Sequence, residues 1–313
     1  MRQILYFLGI IISICFFSCS DANEAEDIPQ STPEDEAIGE FLDDWTFQVY
    51  PKTPYYNIDV AEFRLWVPDS IPDFKAIVIL AHSFNSNALG LSNSDEWQEF
   101  AKKEKLILCS LHLKGNNYAN ASEGSGRALE DAIEQIAIKN NIPEISELPF
   151  LMRGYSAGGN FSYHFSTYKP ERVVSLVSIR GGYLSKSTAN NTIPGLILTG
   201  ELEGEERNSF LKSIMLDKRT VRGLWSFAVE PGVDHYGGLN DSDALTRLFF
   251  SHTLNQRIIT NSYELNSISE DSGWLGDENE TVINPFSDFT GSKEEASWLI
   301  NEDFANAWLE FQR

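Results

Sequence analysis

The chain has 313 residues, 42% of them hydrophobic, enough to bury one large core without needing a second domain. Its 46 acidic against 24 basic side chains give a formal net charge of −22. That argues against nucleic acid or an anionic membrane surface as a partner, because both need a basic footprint, and it disfavours polyanionic substrates.

In chain order, Met1-Arg2 and the apolar run Ile4 to Phe17 read as a signal peptide, too short and too early for a membrane-spanning helix. Three cysteines are too few for a disulfide framework, and two of them, Cys15 and Cys19, lie in this leader. The sequence Phe16-Phe17-Ser18-Cys19 resembles the lipobox of bacterial lipoproteins, with Phe at 16 where those proteins usually carry Leu. The resemblance implies cleavage before Cys19, acylation of that cysteine, and a cell-envelope protein held to the membrane by lipid alone. An ordinary signal peptide cleaved nearby is the alternative. The acidic, Pro- and Ser-rich stretch that follows, with almost no aromatic residues, reads as a tether. The expected organisation is leader 1–18, tether 19–40 and a folded domain 41–313, with a helical extension from about residue 257.

Within the domain, Thr46 to Tyr50 and Ala61 to Val67 alternate apolar with polar residues, as an antiparallel pair of half-exposed strands would. Ala76 to Ala81 and Leu106 to Leu113 are continuously apolar, the pattern of strands covered on both faces. Helices are expected over Asp95 to Lys103 and Ser125 to Asn140, the second with Ala128, Leu129, Ala132, Ile133, Ile136 and Ala137 on one stripe. Strands at Leu148, Val173 to Ile179, Pro194 to Thr199 and Leu224 to Val229 then alternate with helices to Tyr168, over Glu205 to Leu216 and over Ser242 to Leu254. Such alternation implies right-handed crossovers and a mostly parallel sheet, with Leu224 to Val229 as its last strand. In the tail, Ser292-Lys-Glu-Glu295 has a capping-box pattern. Phe304, Ala307, Trp308 and Phe311 form the stripe of a terminal helix.

One stretch organises the chemistry. The apolar run from Leu148 stops at Gly154-Tyr155-Ser156-Ala157-Gly158-Gly159, and a helical pattern follows. A serine on so sharp a strand-to-helix turn projects its hydroxyl outward, and the helix N-terminus aims N–H groups at a developing oxyanion. A base has to come from elsewhere. Of five histidines, His235 and His252 follow the elbow and the later strands, and only His235 sits in a Gly-rich loop directly after a buried strand.

With strand order, elbow and downstream loops in hand, the chain from about Thr46 to Gln256 resembles the α/β-hydrolase superfamily. Its compact esterase branch, which includes dienelactone hydrolases, polyhydroxybutyrate depolymerases and feruloyl or acetyl-xylan esterases, is the nearest in kind. The resemblance implies an α/β fold with a mostly parallel sheet of the eight-stranded type, helices on both faces and no large lid. It implies that Ser156 is a nucleophile, His235 its general base and Glu203, at the Gly-x-x-Asp position Gly200-Glu-Leu-Glu203, the acid that orients the imidazole. Glu201 and Asp234 are rivals for that last role. The N–H groups of Ala157 and Phe84 would form the oxyanion hole, although Ser83 stands where relatives carry Gly. Tyr155, Tyr236 and Tyr118 are candidates for the pocket mouth, while Arg153 and Arg180 read as structural ion pairs in so acidic a chain. No metal motif is found, and no cofactor is expected.

The activity expected is cleavage of carboxylic esters through an acyl-enzyme. The substrate would be a small molecule or ester side groups on a polysaccharide. A glycan-binding lipoprotein without catalysis is the alternative from another class, and a serine peptidase a weaker one. The sequence leaves the oligomeric state open.

Overall fold

The computed structural model describes residues 38–313 apart from 53–54, 70–72 and 278–281; the leader, Cys19 and the tether up to residue 37 lie outside the described residues. Its elements run β1 (Gly39–Phe41), β2 (Thr46–Val49), β3 (Val60–Trp66), β4 (Ala76–Ala81), α1 (Asp95–Glu104), β5 (Leu106–Lys114), α2 (Ser125–Lys139), β6 (Phe150–Tyr155) and α3 (Ala157–Tyr168). They continue β7 (Val173–Ile179), β8 (Gly195–Gly200), α4 (Glu205–Arg219), β9 (Trp225–Glu230), α5 (Asn240–Arg257), β10 (Trp274–Asp277), β11 (Val282–Pro285), β12 (Ser297–Leu299) and α6 (Glu302–Phe311).

Nine strands form the main sheet in the order β1-β2-β3-β5-β4-β6-β7-β8-β9. The first three and β5 pair antiparallel, and β5-β4-β6-β7-β8-β9 pair parallel. The strand beyond the expected eight is the three-residue β1, which begins two residues before the boundary expected at 41. The period-two alternation of β-strand side chains divides β4 cleanly. Ile77, Ile79 and Ala81 enter the core shared with α2, α3 and α4, while Ala76, Val78 and Leu80 enter the one shared with α1, α5 and α6. Both faces are therefore covered, which is why the central strands lack polar alternation. Between β7 and β8 the chain contains no helix, so no helical lid is inserted there.

The C-terminal region departs from expectation. Instead of a purely helical extension, β10, β11 and β12 form a separate antiparallel sheet in the order β11-β10-β12, so β9 is not the last strand. The capping-box pattern at Ser292 opens no helix; the capped helix is α6, where Asn301 Oδ1 accepts from Phe304 N at 2.9 Å. Phe304 and Trp308 of the terminal stripe are buried. This region lies along the outer edge of β9. Phe227 N donates to Ser297 Oγ at 3.0 Å, Trp308 Nε1 donates to Phe227 O at 2.9 Å, and Val229 N donates to Gln312 Oε1 at 3.2 Å. No helix among the described residues is long and apolar enough to cross a membrane.

Candidate active site

The site begins with a backbone problem. Between β6 and α3 the chain must reverse within one residue, and Ser156 absorbs the turn at φ 54°, ψ −122°, a region L side chains rarely occupy. The close approach explains the flanking glycines. A Cβ on Gly154 would overlap the Gly158 carbonyl, and one on Gly158 would lie 2.6 Å from the His82 carbonyl oxygen. Ser156 N donates to Ile179 O at 2.8 Å, tying the elbow to β7. Its side chain makes no N-cap bond to α3, so the hydroxyl is available to other partners.

That partner is His235, whose Nε2 lies 3.0 Å from Ser156 Oγ. On the far side of the ring, Nδ1 lies 2.7 Å from Glu203 Oε1. A carboxylate can only accept, so Nδ1 carries the proton and Nε2 presents its lone pair to the serine. Glu203 ends a short 3-10 turn after β8, and its side chain is only 1% exposed. The two rival carboxylates are committed elsewhere. Glu201 Oε2 accepts from Gly232 N at 2.8 Å, and Asp234 Oδ1 from Tyr236 N at 2.9 Å.

A second layer of bonds fixes the loop that carries His235. The His235 carbonyl accepts from the Tyr155 hydroxyl and from Arg180 Nη1 at 3.4 Å. Arg180, wholly buried, also donates to Gly237 O at 2.7 Å and Gly238 O at 2.9 Å. Its charge is met by Glu230 Oε2 at 2.9 Å. Arg153 similarly forms a two-pronged pair with Asp243 at 2.8 and 3.1 Å. Arg207, one helical turn after Glu203, makes an ion pair with it while donating to the carbonyls of Arg180 at 2.7 Å and Gly181 at 2.9 Å.

A cavity of about 370 Å³ opens over Ser156 and His235, lined also by Phe84, Ala157, Tyr118, Asn160, His164 and Arg207. Ala157 is the first residue of α3, so its N–H has no partner within the helix. Phe84 follows Ser83, whose hydroxyl lies 3.1 Å from His82 Nδ1. The His82 imidazole is held below its ordinary pKa by burial, and the nearby Arg153 adds to this.

The three tyrosines separate. Tyr118 lines the cavity, stacked on Phe84 with centroids 6.0 Å apart, and burial pushes its phenol up to about 12. Tyr155 does not line the cavity; it is buried beneath the histidine, 5.6 Å between centroids, because an inward position at the end of β6 points it into the core. Tyr236 is 88% exposed and sits edge-on to His235 outside the cavity lining. Sequence reading passed over Asn160, His164 and Arg207. The first two were available from spacing alone, four and eight residues after Ser156 on one helix face. Among the described residues no group of three or more His, Cys, Asp or Glu side chains could hold a metal ion.

A nine-stranded, mostly parallel sheet with a serine elbow after its central strand is an α/β-hydrolase fold, and the elbow here carries a Ser156–His235–Glu203 constellation. No protein-family profile and no curated protein sequence matches the chain. Among solved structures, a poly(3-hydroxybutyrate) depolymerase from Bordetella parapertussis is similar at 12% identity and TM-score 0.48, over 69% of this chain and 90% of that one. A poly(aspartic acid) hydrolase from a Sphingomonas species is similar at 16% identity and TM-score 0.48, over 61% and 94%. An S-formylglutathione hydrolase from Staphylococcus aureus follows at 12% identity and TM-score 0.42, over 63% and 91%. At these identities and scores the likeness says nothing about chemistry, and the fold assignment rests on the chain's own strand order and elbow.

Proposed function

We propose that the protein is a serine hydrolase that cleaves carboxylic esters through a covalent acyl-enzyme. The observation that carries this is the unbroken chain of contacts from Ser156 Oγ to His235 Nε2, 3.0 Å, and from His235 Nδ1 to Glu203, 2.7 Å, at the floor of an open cavity. His235 takes the serine proton as Oγ attacks the ester carbonyl, and the oxyanion that forms is met by the N–H groups of Ala157 and Phe84. The imidazolium then returns the proton to the leaving alkoxide. In the second half, water attacks the acyl-serine with His235 again as base, releasing the acid and restoring the serine. Glu203 holds one tautomer and balances the imidazolium charge without taking the proton.

The substrate class we propose is ester groups on polysaccharides, supported by a cavity with no helical lid and by its lining of amide and aromatic side chains. Lipidation at Cys19 would place the domain in the cell envelope near such polymers, a reading supported by the leader sequence. Treatment with a fluorophosphonate tests the chemistry: a single adduct on Ser156, absent in Ser156→Ala, is expected. A folded wild-type protein that takes up no adduct would end the esterase reading. Ser83 in the oxyanion loop and Glu203 in place of the commoner Asp are the features favouring a glycan binder without catalysis. Equal hydrolysis of short nitrophenyl esters by wild type and Ser156→Ala would favour that alternative.

A further inference from the structure

The cavity over Ser156 contains a polar pair that the ester chemistry does not use. Asn160 and His164 follow Ser156 at four-residue intervals on α3, so all three share one helix face, each step advancing roughly 6 Å along the axis. All three line the same cavity.

Asn160 is 94% buried, being 6% exposed. Its Oδ1 accepts from Gly182 N at 2.8 Å and Tyr183 N at 3.2 Å, which fixes the amide: exchanging O and N would set the amino group against two donors. Nδ2 is left with its protons, and no acceptor among the described residues meets it. Nδ2 is not sealed off but faces the cavity, where water or a ligand can take its protons.

His164 is fixed the opposite way. Its Nδ1 lies 3.1 Å from the Ala119 carbonyl, which can only accept, so Nδ1 bears the proton and Nε2 is an acceptor. Burial lowers the pKa of this imidazole and so favours the neutral form. On another wall, Phe84 stacks on Tyr118 with their planes 17° apart, a flat apolar face exposed to the cavity. Arg207 adds no charge for a ligand, because Glu203 and the carbonyls of Arg180 and Gly181 already engage its guanidinium.

Resting on the ester-hydrolase reading, we infer that Asn160 and His164 form a two-point reader for adjacent hydroxyl groups of a neutral sugar ring. Asn160 Nδ2 donates to one ring oxygen, and His164 Nε2 accepts from a neighbouring hydroxyl. The apolar face of the ring lies against Phe84, and its ester group reaches Ser156. The fixed donor and acceptor discriminate against a ligand without hydroxyls, because such a ligand displaces the water that otherwise meets them and leaves both unpaired.

Two acetate esters of matched size separate the outcomes: a methyl glycopyranoside carrying one acetyl group, and cyclohexyl acetate, which lacks the ring hydroxyls. The wild type should favour the sugar ester in kcat/KM by at least about tenfold, and His164→Phe and Asn160→Asp should each cut that ratio by about fivefold or more. Asn160→Asp keeps the acceptor for Gly182 and Tyr183, and a ratio taken within one preparation is insensitive to partial unfolding. Ser156-dependent turnover of both esters with a ratio near one, or a ratio unmoved by both substitutions, overturns the reader and leaves the esterase standing. If neither ester is turned over and no fluorophosphonate adduct forms, the esterase reading fails and the cavity is judged by binding alone. Titrating Ser156→Ala with the acetyl glycoside should then shift the His164 imidazole NMR signals saturably. No shift overturns the inference.

Discussion

Arg180 joins the stability of the fold to the placement of His235, and the two roles can be pulled apart. The guanidinium is fully buried, and its partner Glu230 is 6% exposed. In Arg180→Met the Glu230 carboxylate keeps only the Ser242 hydroxyl, at 2.7 Å, as a partner. Stranding a buried charge in this way costs about 3–5 kcal/mol, a hundred- to several-thousandfold drop in the folding constant. The paired variant Arg180→Met/Glu230→Leu removes both charges, and apolar replacement of a buried pair is often near neutral, so stability should return to within about 2 kcal/mol of wild type. Reactivity should not return. The carbonyls of His235, Gly237 and Gly238 have still lost their common donor, and small displacements of a reacting group cost about 10- to 100-fold in rate. Urea unfolding followed by tryptophan fluorescence reads the first effect. The second-order rate of fluorophosphonate labelling, on the same preparations, reads the second. A paired variant that labels at the wild-type rate would refute this account of the loop, as would a single variant that loses less than about 1 kcal/mol.

Two further outcomes follow from strain and burial. Ser156→Gly releases a residue from φ 54°, ψ −122°, relieving about 1–3 kcal/mol against about 0.5–1 kcal/mol of added chain entropy. Its melting temperature by calorimetry should therefore rise as labelling disappears, and a fall would show that the elbow is unstrained. Lys218 is pushed down from its ordinary 10.5 to about 8 by burial, with its amino group bonded to Ser187 O and Asn190 Oδ1 beside the rings of Tyr163 and Trp225. Between these two values the folded protein binds fewer protons at this site than the unfolded chain, so the site's contribution to stability rises with pH across that window. Unfolding free energies of wild type and Lys218→Met, compared from pH 8 to 10.5, should diverge in favour of the wild type; a constant difference contradicts the assignment.

Much of this arrangement was legible because local chemistry dictates it. The elbow announces itself through its glycines, and His235 occupies a loop directly after an apolar strand, whereas Glu203 stood apart from its rivals Glu201 and Asp234 only through the family resemblance. The orientation of Tyr155 was not legible. Whether a residue beside the serine faces cavity or core depends on the pleat of β6, and a one-residue change of phase reverses the answer. The three-stranded C-terminal sheet was hidden for another reason. Its strands are three or four residues long, and Trp274-Leu-Gly-Asp277 shows no alternation, so pairing rather than propensity creates it. The capping box at Ser292 satisfied a local pattern, but the chain there turns into β12, and Asn301 caps the helix instead. Asn160 and His164 were visible as a spacing, yet nothing in the sequence says which of their atoms are already spent on neighbours.

The seal along β9 has a consequence for how the chain is made. Its outer hydrogen-bonding groups are met by Ser297, Trp308 and Gln312, which follow it in the chain only after α5. Throughout synthesis, until those residues leave the ribosome, the growing polypeptide carries a raw apolar margin to which any extended neighbour can add. The stretch downstream of α5 is thus what makes the sheet finite.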